Sequence, residues 1–443
     1  MQFIISFVLI LVMLSEKIFF LNLEPQYFRS FWGIAEIVSF GLVFIFGIYS
    51  FISEEGFKIP KRTYIFKNKP NFLTFIFLGA TVLTVFLSFV LNFSKVSVNW
   101  DAIALYDARA KFLSSGMKFS EMTSLAKFDN LNKYYYLLYP PYTSIAHFFW
   151  EKTSFLSNIP VGVYYSLCLF ILVAFVFLYS LEIFGITVAA ILSFLVASNS
   201  SIFNIATKEY TNMPYSLYLT VGIFLIFSYL RKNNLWKLFF GVILVASSIW
   251  IRYLEPMWFV VGISLVLSMV SKNKLLNKIF PAVFLLALCL IEYLSWGYFV
   301  SNIGHSPSIV AFSAISILEP IAGVFTGAWF PVFIFFVKSW GIPLLVSILA
   351  LISGSLYWKK LKVDSGFLFF ALIIMFSIIL YFMQLYYVSF QADWWMAAAQ
   401  SLDRSSTFLV PISGFLLVYL TVNSKMFTSK SDDPKNIKKS KKK

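Results

Sequence analysis

The chain has 443 residues, of which 60% are hydrophobic and only 12% are charged, and 53 are phenylalanine. Soluble globular proteins carry about 25% charged residues, so this composition excludes an ordinary soluble domain and predicts an all-α polytopic membrane protein. The net charge of +15 does not indicate a nucleic-acid partner. Its basic residues stand in short clusters between apolar runs, which is typical of the cytoplasmic loops of membrane proteins.

Apolar runs long enough to form membrane spans recur along the chain. A bilayer core of about 30 Å is crossed by about 20 apolar helical residues. Such runs predict about 12 transmembrane helices, at 3–22, 31–52, 72–93, 162–181, 187–204, 212–230, 236–251, 255–270, 279–299, 341–358, 366–388 and 406–423. The first run contains Glu16 and Lys17, which have to reach the membrane surface or form a pair.

The basic residues also predict the orientation of the chain. They concentrate in alternate loops and in the C-terminal tail, at 53–71, 231–237, 271–278, 359–364 and 425–443. Lys and Arg favour the cytoplasmic side, so both termini are predicted to be cytoplasmic, and the large first outer loop, 94–161, faces outward with short interfacial helices. Prolines in 300–338 favour another interfacial helix over 321–337, because a further span there would move the next basic loop outside.

Three parts follow from this pattern. Residues 1–71 form two N-terminal transmembrane helices and a basic cytoplasmic loop, and residues 72–424 form the main membrane domain. Residues 425–443 form a Lys-rich cytoplasmic tail that we expect to be disordered and to lie against anionic lipid.

The longest polar interval opens with Asp101 and Asp107, which follow the third apolar run. If residues 102–114 form an α-helix, a separation of six residues is about 600°. The two carboxylates then lie on different faces and serve different roles. Simpler interpretations also stand: Asp101 fits a helix N-cap, and Asp107 with Lys111 fits a helical i,i+4 ion pair.

Further polar residues come to the same predicted outer face from separate parts of the chain. They are Lys208, Glu209, Asn212, Arg252, Glu255, Asp403 and Arg404. Charges near membrane depth are costly and tend to be functional. Each group also has a structural interpretation, as a helix entry before Pro214, a local ion pair at Arg252 and Glu255, or an interfacial anchor at Arg404. Neither His147 nor His305 has a partner at metal-ligand spacing, so no metal site is predicted.

Taken together, these segments resemble the GT-C superfamily of membrane glycosyltransferases, in the branch of the protein-O-mannosyltransferases and the lipid A aminoarabinose transferases. Asp101, Asp107 and Ser115-Gly116 match the start of that group's first outer loop, although Ala102 stands where the family often has Glu. Weaker matches lie at Tyr139-Pro-Pro141, Tyr210-Thr-Asn-Met-Pro214, Arg252-Tyr-Leu-Glu255 and Asp403-Arg404, and Asn212 stands where an acid is usual.

The resemblance implies an inverting glycosyltransferase of the cell membrane. It would move a sugar from a polyprenyl-phosphate donor to a hydroxyl of a glycan, lipid or protein at the extracytoplasmic face. It implies Asp101 as the general base. Phosphate contacts would come from Arg404, Arg252 and Lys208, and substrate orientation from Asp107, Glu209, Asn212, Glu255 and Asp403. A divalent metal is compatible with this reaction but not required by it. A polytopic transporter or a flippase of lipid-linked sugars is the alternative function.

Overall fold

The computed structural model describes residues 1–55, 70–94, 101–122, 139–270, 276–303, 314–357, 364–391 and 395–431. Regular secondary structure in these ranges is entirely helical. The N-terminal helices are α1 (Gln2–Leu23), α2 (Pro25–Phe28), α3 (Phe31–Glu54) and α4 (Phe72–Ser94). A π-helix (Asp101–Asp107), α5 (Ala108–Ser114) and α6 (Tyr142–Lys152) belong to the first long loop.

The middle of the chain holds α7 (Gly162–Phe184), α8 (Ile186–Ala197), α9 (Ser200–Thr207), α10 (Asn212–Lys232), α11 (Leu235–Ile251), α12 (Met257–Val270) and α13 (Leu276–Asn302). The C-terminal part holds α14 (Ala314–Thr326), α15 (Trp329–Leu356), α16 (Ser365–Gln391), α17 (Trp395–Gln400), α18 (Leu402–Ser405) and α19 (Leu409–Ser431). Because α19 continues to Ser431, the first part of the tail predicted to be disordered is helical.

The described helices form a polytopic membrane protein. By length and composition, eight of them can cross a membrane, or nine if the bent pair α8 and α9 counts as one span. The shorter apolar helices α11, α12 and α19 overlap three further predicted runs. Each of the predicted runs therefore overlaps a helix, whereas the total of 12 spans and the cytoplasmic termini stay predictions.

The predicted continuous run 187–204 is wrong in one respect, because α8 and α9 are bent by 58°. Asn199 causes the break. Its side chain accepts hydrogen bonds from the backbone N–H groups of Ser201 and Ile202 and so caps a new helix. Asparagine is among the preferred N-cap residues. After this bend, α9 leads directly to Lys208 and Glu209.

The predicted interfacial segment 321–337 is divided between α14 and the first part of α15. Helix α15 breaks at Gly341, where φ is +61°, a conformation that favours glycine. This break coincides with the start predicted for the next span. The N-terminal part of α15 is anchored at Trp340, whose indole N–H donates to the hydroxyl of Ser406, just after α18.

Helix α10 is the centre of the bundle, with almost its whole length buried. It packs against α7, α11 and α16. The contact with α11 depends on two glycines. A Cβ atom on Gly222 would lie 2.9 Å from the carbonyl oxygen of Gly241, and the reverse distance is also 2.9 Å. Small residues let membrane helices approach this closely. This central helix begins at Asn212, which is one of the predicted site residues.

The predicted need of Lys17 for a partner is confirmed. Its ammonium group contacts the carboxylates of Glu36 on α3 and Glu292 on α13. Tyr27 donates a hydrogen bond to Glu36. All of these side chains are buried. The cluster therefore ties α1 to two other helices of the bundle instead of placing Lys17 at the membrane surface.

Candidate functional site

An ion pair lies between the end of α11 and the start of α12. Nη2 of Arg252 donates to Oε1 of Glu255 at 2.8 Å, and the side chains are only 11% and 12% exposed. The guanidinium group also lies 5.6 Å from the ring centre of Tyr139 and 6.0 Å from that of Tyr215. Burial by itself lowers the pKa of Arg252, but Glu255, Tyr139 and Tyr106 raise it above its usual value. We call Arg252, Glu255, Tyr139 and Tyr215 the tyrosine-lined cluster.

Two donors of the tyrosine-lined cluster are buried without a hydrogen bond to any described residue. They are Nε of Arg252 and the hydroxyl of Tyr215. Leaving a buried polar group unsatisfied costs about 1–3 kcal/mol, so such groups call for an explanation such as a water or an ion. An anionic ligand would satisfy both donors, because a guanidinium group binds phosphate through several N–H groups at once.

A second group of side chains surrounds His147 on α6. Its Nδ1 lies 2.6 Å from Oδ1 of Asp107, the last residue of the π-helix, and its Nε2 lies 2.8 Å from the hydroxyl of Tyr165 in the first turn of α7. We call these three residues the buried relay. A π-helix is rare and is frequent at functional sites. The α-helix considered for 102–114 is observed only over Ala108–Ser114, and Asp107 pairs with His147 whereas Lys111 is exposed.

Glu209 approaches the buried relay from the loop between α9 and α10. Its carboxylate interacts electrostatically with Tyr165. A Cβ atom on Gly162 would lie 2.8 Å from its Oε1, so glycine there leaves room for the carboxylate. Glu209 itself has φ of +55°, which is uncommon for a residue other than glycine. Strained backbone of this kind occurs preferentially at functional sites.

The segment before α19 brings the remaining predicted residues together. The Arg404 guanidinium lies 4.3 Å from the ring centre of Tyr210. Nδ2 of Asn212 donates to the Ser405 hydroxyl at 3.5 Å. Burial raises the pKa of the Asp403 carboxyl, although Arg404 and Lys208 act in the opposite direction. Lys208 and Asp403 are thus close enough to interact.

Contacts join the three groups into one region. Tyr106, beside Asp107, packs edge to face on His147 at 6.1 Å between ring centres and also interacts with Arg252. On the other side, Tyr381 interacts with Glu255 and donates to the backbone oxygen of Ser405 at 3.0 Å. Residues from the first loop, the α9–α10 loop, the α11–α12 loop and α18 therefore meet at one end of the bundle.

Asp101 begins the π-helix, and its side chain lies outside the described part of the chain. The next residue, Ala102, is fully buried, so the start of this helix packs against the bundle. The other eight predicted site residues are described and take part in the three groups above. The sequence interpretation considered His147 only as a metal ligand and did not consider Tyr165, because their partners are far away in the sequence and no spacing rule joins them.

Among the described residues, no three His, Cys, Asp or Glu side chains converge in a way that could hold a metal ion. Comparison of the chain with family models, curated proteins and solved structures yields no match. A functional assignment therefore depends on the chemistry of this region.

Proposed function

We propose that the protein is an inverting glycosyltransferase that moves a sugar from a polyprenyl-phosphate donor to an acceptor hydroxyl. The acceptor belongs to a glycan, a lipid or a protein. In this proposal the chain crosses the cell membrane 12 times with both termini in the cytoplasm, and the reaction takes place at the extracytoplasmic face. A divalent metal is not needed for the steps described below.

The observation that carries the proposal is the pair of unsatisfied buried donors in the tyrosine-lined cluster. Nε of Arg252 and the hydroxyl of Tyr215 lack described partners, and a phosphate would supply acceptors for both. Tyr215 itself stands in the first turn of α10, which begins at Asn212, and helix N-termini favour anions. Carboxylates that would accept hydrogen bonds from sugar or acceptor hydroxyls stand in the adjoining groups, at Asp107 and Glu209.

In the proposed reaction the acceptor hydroxyl attacks the anomeric carbon of the sugar. A new C–O bond forms there, and the bond from the anomeric carbon to the phosphate oxygen breaks, with its electron pair leaving on the phosphate. The hydroxyl proton passes to the carboxylate of Asp101, the general base implied by the family resemblance. Arg252, with Arg404 and Lys208, would stabilise the charge that develops on the leaving phosphate.

The remaining polar residues would orient the reactants. Glu255 holds the guanidinium of Arg252 in place through the 2.8 Å hydrogen bond, and Asp403 lies among cations in the same way. Asp107, Glu209 and Asn212 would bind sugar or acceptor hydroxyls. This division of roles matches the chemistry, since a phosphate is already a good leaving group and needs positive charge more than a strong acid.

Purified protein in liposomes tests this proposal. The liposomes would contain a panel of polyprenyl-phosphate hexoses and pentoses together with a membrane extract as the source of acceptors. We expect release of free polyprenyl phosphate by the wild-type protein and no release by Asp101→Asn, with equal amounts of both variants inserted. If Asp101→Asn releases polyprenyl phosphate at the wild-type rate, Asp101 is not the general base. If the liposomes show sugar counterflow but no cleavage of the donor, the protein is a transporter or flippase and not a transferase.

A further inference from the structure

We propose that His147 and Tyr165 are positioning residues that fix the carboxylate of Asp107 in the transfer site. The proposal rests on the transferase function above and adds two residues that the sequence patterns did not single out. It depends on the geometry of the buried relay, in which the imidazole joins the first outer loop to the membrane helix α7.

Both ring nitrogens of His147 are engaged. Nδ1 lies 2.6 Å from Asp107 and Nε2 lies 2.8 Å from Tyr165. A carboxylate can only accept a hydrogen bond, so an ionised Asp107 requires the proton of a neutral imidazole to be on Nδ1. Nε2 then accepts the hydrogen bond that the Tyr165 hydroxyl donates. Asp107 thereby selects the tautomer that points an N–H group at it, and the hydrogen bond from Tyr165 supports that tautomer by occupying Nε2 as an acceptor.

Of the three side chains in the buried relay, only that of Asp107 is partly exposed. The side chain of His147 is 0% exposed and that of Asp107 is 18% exposed, while Tyr165 is fully buried. Asp107 is therefore the member that can reach a ligand, and the other two are enclosed behind it. A hydrogen-bonded support of this kind keeps a functional side chain in its productive geometry.

The π-helix connects the buried relay to the tyrosine-lined cluster. Tyr106 in this helix packs against His147 and also interacts with Arg252. Asp107 is thus held next to the cluster that we assign to the donor phosphate. From there its second carboxylate oxygen could accept a hydrogen bond from a sugar hydroxyl, and the first oxygen stays on His147.

Four variants test the positioning role in the liposome assay. His147→Leu removes both hydrogen bonds, His147→Asn keeps a side-chain N–H close to the position of Nδ1, and Tyr165→Phe removes one hydroxyl. Tyr164→Phe is the matched control, because its hydroxyl donates to Tyr142 at 2.9 Å and lies outside the buried relay. We expect kcat to fall about 100-fold for His147→Leu, since a misplacement of about 1 Å can cost that much.

The same mechanism predicts about a 10-fold loss of kcat for Tyr165→Phe, partial rescue by His147→Asn, and little change for Tyr164→Phe. Donor KM should stay within about 2-fold throughout, because kcat alone falls when an interaction serves only the transition state. Adding His147→Leu to Asp107→Asn should cause no further loss, since residues that act as a unit are not additive.

Two results separate this proposal from the one on which it rests. If Tyr165→Phe and His147→Asn both keep the kcat of an active wild-type protein, the positioning role of the buried relay is wrong, whereas the transferase function stands. A wild-type protein that transfers no sugar would overturn both proposals. If His147→Leu does not elute as a folded protein, the two milder variants decide the question, because each removes only part of the hydrogen bonding.

Discussion

Nζ of Lys17 lies 2.6 Å from Oε1 of Glu292, although the two residues, on α1 and α13, are 275 residues apart in the sequence. The same ammonium group contacts Glu36 and lies 4.2 Å from the ring centre of Trp250. Trp250 stands two residues before Arg252, so both clusters involve the C-terminal end of α11. The N-terminal helices are thereby coupled to the end of the bundle that carries the candidate site.

Lys17→Gln should destabilise the protein strongly, because it leaves two buried carboxylates without their shared cation. Breaking a buried ion pair by removing one partner costs about 3–5 kcal/mol. Unfolding by titration with sodium dodecyl sulfate would measure the change. The control is Lys232→Gln, which removes a half-exposed pair with Glu182 and should cost about 1 kcal/mol or less. Equal effects of both substitutions would show that the cluster contributes nothing special.

Gly241→Val should separate α10 from α11. The carbonyl oxygen of Gly222 would lie 2.9 Å from the new Cβ atom, and backbone cannot move aside cheaply. Overpacking a close contact typically costs about 1–3 kcal/mol. Gly79→Val is the matched control on α4, since a Cβ atom there meets nothing within 4 Å. The unfolding midpoint in detergent should fall for Gly241→Val and stay unchanged for the control; a shift of equal size in both would argue against this close approach.

At Glu209, comparing two substitutions separates backbone strain from side-chain function. Glu209→Ala and Glu209→Gly both remove the carboxylate, but only glycine adopts φ of +55° without strain. The glycine variant should be more stable than the alanine variant by about 1 kcal/mol. Both should lose sugar transfer to the same extent. An alanine variant as stable as the glycine variant would contradict the strain, and full activity in either would contradict the role of the carboxylate.

Arg252→Gln should abolish most of the transfer, because it removes the cation next to the proposed phosphate. Loss of one such electrostatic group typically lowers kcat by about 100-fold or more. The substitution also leaves the largely buried carboxylate of Glu255 without its cation, so Arg252→Gln should be compared with Arg252→Gln/Glu255→Gln. The double variant should regain stability without regaining activity.

Arg252→Lys provides a further comparison, since lysine keeps the charge but lacks the planar fork of N–H groups. Its activity should fall between those of the wild-type protein and Arg252→Gln. Arg231→Gln, which loses a partly exposed pair with Asp364 at 3.9 Å, serves as the control for a distant arginine. If Arg252→Gln/Glu255→Gln transfers sugar at the wild-type rate, the tyrosine-lined cluster has no role in the reaction.

The sequence alone determined the class of protein and the approximate position of its helices. A membrane span is a local property, since about 20 apolar residues satisfy both the bilayer and their own backbone hydrogen bonds. The gathering of Arg252, Asp403 and Lys208 at one end also followed from the alternation of spans. The break at Asn199 carried a readable signal, because asparagine between two serines favours a helix cap.

Only the tertiary structure decided which side chains touch. His147 lies 40 residues from Asp107 and 18 from Tyr165 in the sequence, and no helical or strand period connects such separations. The π-helix at Asp101–Asp107 likewise packs against α6, a contact between distant segments that no local pattern predicts. Hydrophobic pattern specifies where a helix lies, whereas hydrogen bonds between distant polar groups depend on distances of a few ångströms that only the packed bundle sets.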